Sequence, residues 1–205
     1  MTNRLISKSF LCLQGVGAIC VCWVFGAIFK QICIKNPFHP STLLYMYISL
    51  KEQYQIPDGT TQFLDAMNWM NQEDMIINGA AIKKPNEVFK SHYHLLSVFG
   101  LYVKQLRTNG TLAVKKNEDE TRKKLYNLET KIYNCMCNLK IALQSSGSDV
   151  TRNVTNDILD PNFMANSSPL MNAIYRAYIT MKDGINLMEF LNIIYQKVEE
   201  SIMTA

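Results

Sequence analysis

The chain has 205 residues, of which 48% are hydrophobic and 19% are charged, and its formal net charge is +4. This length and composition suit one folded domain with an apolar core, and they exclude a disordered or collagen-like chain. The basic residues form no concentrated stripe, which argues against a nucleic-acid-binding protein. Three histidines and the lack of a glycine-rich phosphate-binding motif argue against an enzyme.

The first thirty residues carry the pattern of a targeting segment. Residues 10–29 contain no charged side chain, and Arg4 and Lys8 precede them. A basic start, an apolar run and small residues at its end are typical of a secretory signal peptide, so we expect residues 1–26 to be removed and residues 27–205 to be secreted. An uncleaved signal anchor is the alternative, because about 20 apolar residues can cross a bilayer.

Three glycosylation motifs favour the same extracellular location. Asn109, Asn153 and Asn166 each begin an Asn-x-Ser/Thr triplet. Such a triplet needs an accessible loop to receive a glycan, and all three lie between the helices predicted below. We therefore expect a secreted glycoprotein.

Apolar residues recur at helical spacing in four segments, and no segment after residue 40 alternates as a strand would. The predicted helices are A (41–55), B (from Pro85 to just before Asn109), C (from Asn117 to Gly147) and D (from Ser168 to Ile202), with Asn86 as a cap of B and Gly184 as a weak point or bend in D.

Each helix has a predicted buried side that follows this spacing. Helix A presents Leu44, Tyr47, Ile48, Leu50 and Tyr54; helix B presents Val88, His92, Leu95, Phe99, Tyr102, Val103 and Leu106; helix C presents Leu125, Leu128, Ile132, Cys135, Leu139 and Leu143; and helix D presents Met171, Ile174, Tyr178, Met181, Ile185, Met188, Leu191, Tyr195, Val198 and Ile202.

The lengths of the connections predict the topology. They are long between A and B, short between B and C, and long between C and D. A short connection joins antiparallel neighbours, whereas a long one can return the chain along the whole bundle. We therefore predict an all-α, up-up-down-down four-helix bundle with two long crossover loops, an arrangement associated with growth hormones and cytokines.

Four local motifs carry a family resemblance. They are a Cys-Ile-Lys-Asn-Pro-Phe-His segment at 33–39, an aromatic-rich segment at 43–50, an aromatic and leucine rhythm over 87–106, and Tyr-Asn-Cys-Met-Cys at 133–137. With these motifs, the chain resembles the interleukin-6-type cytokines, and most of all the branch of leukaemia inhibitory factor and ciliary neurotrophic factor. Two features depart from that branch: helix A is short, and Met171 and Ile174 stand where members that bind the leukaemia inhibitory factor receptor have Phe and Lys.

The resemblance implies a function and a set of contact residues. It implies a monomeric cytokine without a cofactor, which binds type I cytokine receptor chains and brings them together to start intracellular signalling. The exposed faces of helices A and C would bind a shared signal-transducing receptor, with Arg122 and Tyr126 as the candidates on helix C. The start of helix D and the A–B loop would bind a second receptor through Trp69, Met171 and Tyr175.

Removal of the signal peptide leaves three cysteines, at positions 33, 135 and 137. Residues two apart on a helix point about 200° apart, so Cys137 should face outward if Cys135 lies on the buried side of helix C. We predict a Cys33–Cys137 disulfide, with Cys33–Cys135 as the next choice. Cys135 is otherwise interpreted as a small buried apolar residue.

Several alternatives remain open. Residues 63–70 would cover the open side of the bundle instead of presenting Trp69, and His92 and His94 are expected to be structural because their spacing does not suit a metal site on a helix. The basic residues at 115–116 and 122–124 would form a solvated face or bind a heparin-like or acidic receptor surface. Two other functions are a signal-anchored membrane protein with a helical adhesion or structural ectodomain, and a carrier of apolar ligands.

Overall fold

The described part of the chain is entirely helical. A computed structural model describes residues 40–56, 85–108, 118–148, 159 and 170–203. These residues form four α-helices and no strand: α1 (Pro40–Tyr54), α2 (Pro85–Thr108), α3 (Glu118–Ser145) and α4 (Leu170–Met203). The helices correspond to predicted helices A to D, with their ends displaced by no more than two residues.

The buried sides of α2 and α3 follow the predicted pattern completely. Every residue assigned to them from the sequence is buried, and all except Val88 and His92 belong to one apolar core. Leu159, from the connection between α3 and α4, belongs to the same core. In α4, six of the predicted positions are confirmed as buried: Ile174, Tyr178, Met181, Met188, Leu191 and Tyr195. Ile185 is only half-buried. The side chains of Met171, Val198 and Ile202 lie outside the described residues.

The buried side predicted for α1 is wrong in part. Leu44 and Ile48 were expected in the core, yet they are 43% and 40% exposed, whereas Leu43 and Met46 are buried. Leu50 is buried as predicted. The segment from Leu43 to Leu50 is apolar or aromatic on every side except at Ser49, so its composition gives no contrast to show which face packs inward.

Helices α2 and α3 pack most extensively against each other and run antiparallel. The first residues of α2 meet the end of α3, where the Asn86 side-chain amide donates a hydrogen bond to Ser148 Oγ at 3.1 Å. At the other end of α2, Arg107 Nε donates to Glu129 Oε2 at 2.7 Å. This opposite order of contacts agrees with the short stretch of sequence, 109–117, that joins the two helices.

Helix α2 also packs against α4 in an antiparallel direction. Early in α2, the Phe89 and Tyr195 rings stack with centroids 6.1 Å apart. Later in α2, Phe99 lies against Gly184, eleven residues before Tyr195 in α4. Helix α1 packs mainly on α4, where the rings of Tyr47 and Tyr178 stack at 4.5 Å.

The ends of α2 and α3 show how local sequence sets helix limits. Asn86 lies inside the first turn of α2 and bonds to Ser148, so its predicted role as the cap of that helix is wrong. Gly147 ends α3 with a φ of 72°, a left-handed conformation that glycine adopts without steric cost. The amide of Ser148 then bonds to the Leu143 carbonyl at 2.9 Å, which satisfies a carbonyl at the helix end.

Gly184 allows α2 and α4 to approach closely. Helix α4 is continuous through this residue, so the glycine does not interrupt it. A Cβ atom at position 184 would collide with the Phe99 ring, coming within 2.8 Å of its Cε2 atom. Phe99 is fully buried and cannot turn aside without disturbing the core.

We expect Gly184→Ala to destabilise the fold by about 1–2 kcal/mol, because the clash with Phe99 exceeds the gain of roughly 1 kcal/mol in helix propensity. Gly100→Ala is the matched control, since its Cβ would lie 3.3 Å from Ile132 Cγ2 and needs only a small adjustment. Urea unfolding should leave the control within about 1 kcal/mol of wild type. Equal effects of the two substitutions would contradict the packing role of Gly184.

Candidate functional site

The outer side of α3 is the most distinctive surface in the described part of the chain. Tyr126, Tyr133 and Ile141 are 57%, 40% and 56% exposed, although large apolar side chains are usually buried. Cys137 is exposed between the last two. These four residues are spaced by seven, four and four positions, so they share one side of the helix; we call them the α3 outer face.

The packing of the core explains why this face is exposed. The residues of α3 that enter the core recur every three or four positions and occupy one side of the helix, from Leu125 to Leu143. With 3.6 residues per turn, the α3 outer face must lie away from that side. The tyrosines are therefore directed to solvent by the regular helix, without an irregular backbone.

A buried ion pair joins α2 to the inner border of this face. The Arg107–Glu129 pair has an Nε to Oε2 distance of 2.7 Å, and the Glu129 side chain is only 8% exposed. The Arg107 guanidinium also lies 5.8 Å from the centre of the Tyr126 ring, within the range of a cation–π contact. These contacts place Tyr126 on the flank of α3 that adjoins α2.

Tyr133 belongs to the same flank. Partial burial is the main cause that raises the pKa of its hydroxyl, the negative charge of Glu129 adds to the increase, and Arg107 opposes it. Glu129 lies one helical turn before Tyr133 and pairs with the Arg107 that contacts Tyr126. The two tyrosines and the ion pair form one continuous surface across α2 and α3.

The opposite flank of α3 adjoins α1. The Lys124 ammonium lies 4.1 Å from the centre of the Tyr45 ring and pairs at 2.6 Å with Glu120, four residues before it in α3. Tyr45 is largely exposed, and so are Leu44 and Ile48 beside it in α1. The molecule thus presents two different exposed apolar surfaces, one on either side of α3.

The structure brings together two of the predicted receptor contacts. Arg122 and Tyr126 are both exposed in α3 and are four residues apart, so they share the flank next to α2. Tyr175 is half-buried in α4 and packs against the core. Met171 is the second residue of α4, but its side chain lies outside the described residues, as do Trp69 and the glycosylation candidates Asn109, Asn153 and Asn166.

The predicted disulfide at Cys137 is wrong. Cys137 is a free, exposed thiol, and Cys135 is the cysteine that takes part in a disulfide. Cys33 lies outside the described residues, and the partner of Cys135 is not among the described residues. The sequence correctly placed Cys135 on the buried side and Cys137 outside, but a cysteine at a buried position can still form a bridge.

Polar groups inside the bundle form a second group of unusual residues. His92 is buried, its Nδ1 lies 2.9 Å from the Tyr195 hydroxyl, and burial lowers the pKa of His92 to about 3. Asp183 is also buried, one of its carboxylate oxygens has no hydrogen-bond partner, and burial raises its pKa to about 7.

The buried His92 ring lies against aromatic side chains of α4. The Phe190 ring meets His92 edge-on, with ring centroids 5.8 Å apart. Among the described residues, no three His, Cys, Asp or Glu side chains are grouped to hold a metal ion. The burial of His92 confirms its predicted place on the inner side of helix B.

Sequence reasoning missed the contacts that support the α3 outer face. Arg107 precedes the end of α2 and Glu129 lies in a row of predicted exposed positions, so neither interrupts an apolar pattern. The only available signal was the placement of a lone acid among the basic and neutral residues of α3 after its first turn. Such an acid is a candidate for pairing with a cation on the next helix.

No helix within the described residues has both the length and the apolar composition required to cross a bilayer. The apolar segment at 10–29 lies outside the described residues. Comparison with known protein families, with curated proteins and with solved structures found no match.

Proposed function

We propose that the chain is a secreted, glycosylated cytokine with an up-up-down-down four-helix bundle, which binds and brings together type I cytokine receptor chains. It performs no chemistry in this role. Separate faces of one rigid bundle bind separate receptor ectodomains and thereby hold their intracellular parts close together. Binding faces of this kind need a rigid scaffold and exposed anchoring side chains.

The direction of the helices is the main support for this proposal. Helix α2 is antiparallel to α3 and also to α4, as the contacts of Asn86, Arg107, Phe89 and Phe99 indicate. Helices α3 and α4 then share one direction, as the proposed topology with a long crossover between them requires, whereas an up-down bundle would reverse direction at each connection. The same direction for α1 and α2 completes the proposed topology.

The disulfide at Cys135 supports an extracellular location. Disulfides form and persist mainly in oxidising compartments, and a bridge to a helix of the bundle is typical of a secreted domain. The proposed signal peptide (1–26) and the three glycosylation motifs add to this from the sequence. We propose Cys33 as the partner of Cys135, because the remaining cysteines lie within the segment expected to be removed.

The exposed aromatic residues supply anchors for receptor contact. Tyrosine, tryptophan and arginine are enriched among the residues that dominate binding energy at protein interfaces. Tyr126 and Arg122 on α3 and Tyr45 on α1 provide three such side chains on exposed surfaces. By family resemblance, α1 and α3 would bind the shared receptor, and the start of α4 with Trp69 would bind the second.

The proposal is tested by adding the purified glycoprotein to cells that each express one pair of interleukin-6-type receptors. We expect dose-dependent phosphorylation of at least one receptor pair, and none in the same cells without receptors. A heat-denatured sample controls for contaminants. The proposal fails if no pair responds and if none of the immobilised ectodomains binds the protein.

Analysis of the cell product distinguishes secretion from membrane anchoring. Mass spectrometry of the protein in the culture medium should find a chain that starts near Ala27, with glycans on Asn109, Asn153 and Asn166. A product that stays in the membrane fraction and retains residues 10–29 would instead favour the signal-anchored adhesion protein.

A further inference from the structure

The flank of α3 next to α2 is a different surface from the flank that meets α1, so Arg122 and Tyr126, which family resemblance assigned to a shared α1 and α3 face, lie away from α1. Tyr126 contacts Arg107 of α2, whereas Lys124 on the opposite flank of α3 contacts Tyr45 of α1. Tyr93 of α2 extends the first surface, because it lies one turn before Ser97, whose Oγ is 3.9 Å from the Met136 sulfur next to Cys137. Partial burial, and then the charge of Cys137, raise the pKa of the Tyr93 hydroxyl. We call the residues Tyr93, Arg107, Arg122, Tyr126, Tyr133 and Lys140 the α2/α3 surface.

The α2/α3 surface carries three cations, Arg107, Arg122 and Lys140. The exposed acid Asp119 also lies on this side of α3, seven residues before Tyr126. From residue 121 to residue 148, the chain contains five cations and one further acid. The acid is Glu129, which is buried and paired with Arg107, so it offers no negative charge to a partner. Arg122 and Lys140 are exposed at the two ends of the row of tyrosines.

The pattern of charge and apolar side chains identifies the kind of partner. The exposed tyrosines form an apolar centre with cations at its ends, and protein interfaces are enriched in tyrosine and arginine. A second copy of the chain would bring like charges together, which costs free energy. A sulfated polysaccharide needs clustered cations, but Arg122 and Lys140 are about 27 Å apart along the helix with tyrosines between them.

We propose that the α2/α3 surface binds a receptor ectodomain whose contact area has an apolar centre bordered by carboxylates. This inference rests on the proposed cytokine function and adds the location and chemistry of one docking site. The tyrosines provide most of the affinity because they exclude water at the centre of the contact. The cations at the ends accelerate association and make it sensitive to salt.

The test measures binding of the full glycosylated protein to immobilised ectodomains of the interleukin-6-type receptors. We expect Tyr126→Ser and Tyr133→Ser each to weaken binding to one ectodomain by about 10-fold or more. Arg122→Glu with Lys140→Glu should slow association by about 10-fold and reduce its dependence on salt. Circular dichroism of each variant confirms that it is folded.

Two controls match these variants on a different surface. Ile193 is exposed in α4 to the same degree as the α3 tyrosines, and Lys197 is an exposed cation of α4, so Ile193→Ser and Lys197→Glu should leave this binding unchanged. Bound ectodomain should also slow alkylation of the Cys137 thiol, which is exposed beside Tyr133 in the free protein.

Three results would overturn the inference. The first is binding that is unchanged in the α2/α3 variants but lost in the double variant Leu44→Ser with Ile48→Ser. This result would place the site on α1 and would leave the cytokine function intact. Binding to heparin that depends on the cations but not on the tyrosines, with no ectodomain effect, would make the surface a polysaccharide site. Failure of every ectodomain to bind wild-type protein would remove the cytokine function as well.

Discussion

The free energy of unfolding of Asp183→Asn, minus that of wild type, should increase by about 3 kcal/mol as the pH rises from 4 to 6.5. Burial raises the pKa of Asp183 from 3.8 to about 7, and the positive charge of Lys182 opposes this shift. The unfolded chain releases the Asp183 proton above pH 3.8, whereas the folded chain keeps it. The native state therefore loses about 1.4 kcal/mol of stability per pH unit up to pH 7 through this group.

His92 produces the opposite slope. Burial lowers its pKa from 6.5 to about 3, so the unfolded chain binds a proton below pH 6.5 that the folded chain does not accept. The contribution of His92 to the free energy of unfolding is fully present above pH 6.5 and falls as the pH decreases toward 3. Between pH 4 and 6.5 the contributions of Asp183 and His92 nearly cancel in the wild-type protein.

Urea unfolding at several pH values separates the two groups. As pH rises, the free energy of unfolding of Asp183→Asn should increase relative to wild type, because only the His92 contribution remains. The free energy of unfolding of His92→Gln should decrease relative to wild type, because only the Asp183 contribution remains. The comparison uses slopes, so a constant cost of either substitution does not affect it. Parallel curves for wild type and both variants would show that neither group titrates abnormally.

Replacing Arg107 by methionine should destabilise the protein by about 2–3 kcal/mol. The change leaves the buried Glu129 carboxylate without its partner, and uncompensated buried charges are strongly unfavourable. The Arg107 side chain is partly exposed, so water reduces the cost below that of a fully buried pair.

The double variant Arg107→Met with Glu129→Leu tests this explanation. Replacing both charges by apolar side chains of similar size removes the unpaired carboxylate, so we expect stability within about 1 kcal/mol of wild type. Urea unfolding of the two single variants and the double variant gives the coupling energy. Additive losses in the double variant would give a coupling energy of zero and would contradict this explanation, because the cost of Glu129 would then not depend on Arg107.

The positions of the helices and most of the core could be predicted from the sequence. In α2 and α3, polar and charged residues alternate with apolar ones at helical spacing, so the buried side is unambiguous, as at Leu128 and Phe99. Helix α1 lacks this contrast, and the choice between Leu43 and Leu44 depends on the surface of α4 that it meets. Only tertiary packing supplies that information.

The polar contacts between helices could not be predicted. His92 and Tyr195 are separated by 103 residues, and Arg107 and Glu129 by 22, so no local pattern links them. The error at Cys137 has a related origin. Helical geometry gave the directions of Cys135 and Cys137 correctly, but the choice between them depended on where another segment of the chain reaches α3.

The direction of α1 relative to α4 is the most direct test of the proposed bundle. Spin labels at Asn186 on α4 and at either Leu44 or Glu52 on α1, all exposed positions, would measure it in a Cys137→Ser background. Taking the Tyr47–Tyr178 contact as the reference point, an antiparallel α1 puts position 44 closer to 186 than position 52 by about 12 Å along the helix axis. The proposed topology predicts this shorter 44–186 distance, and a shorter 52–186 distance would contradict it.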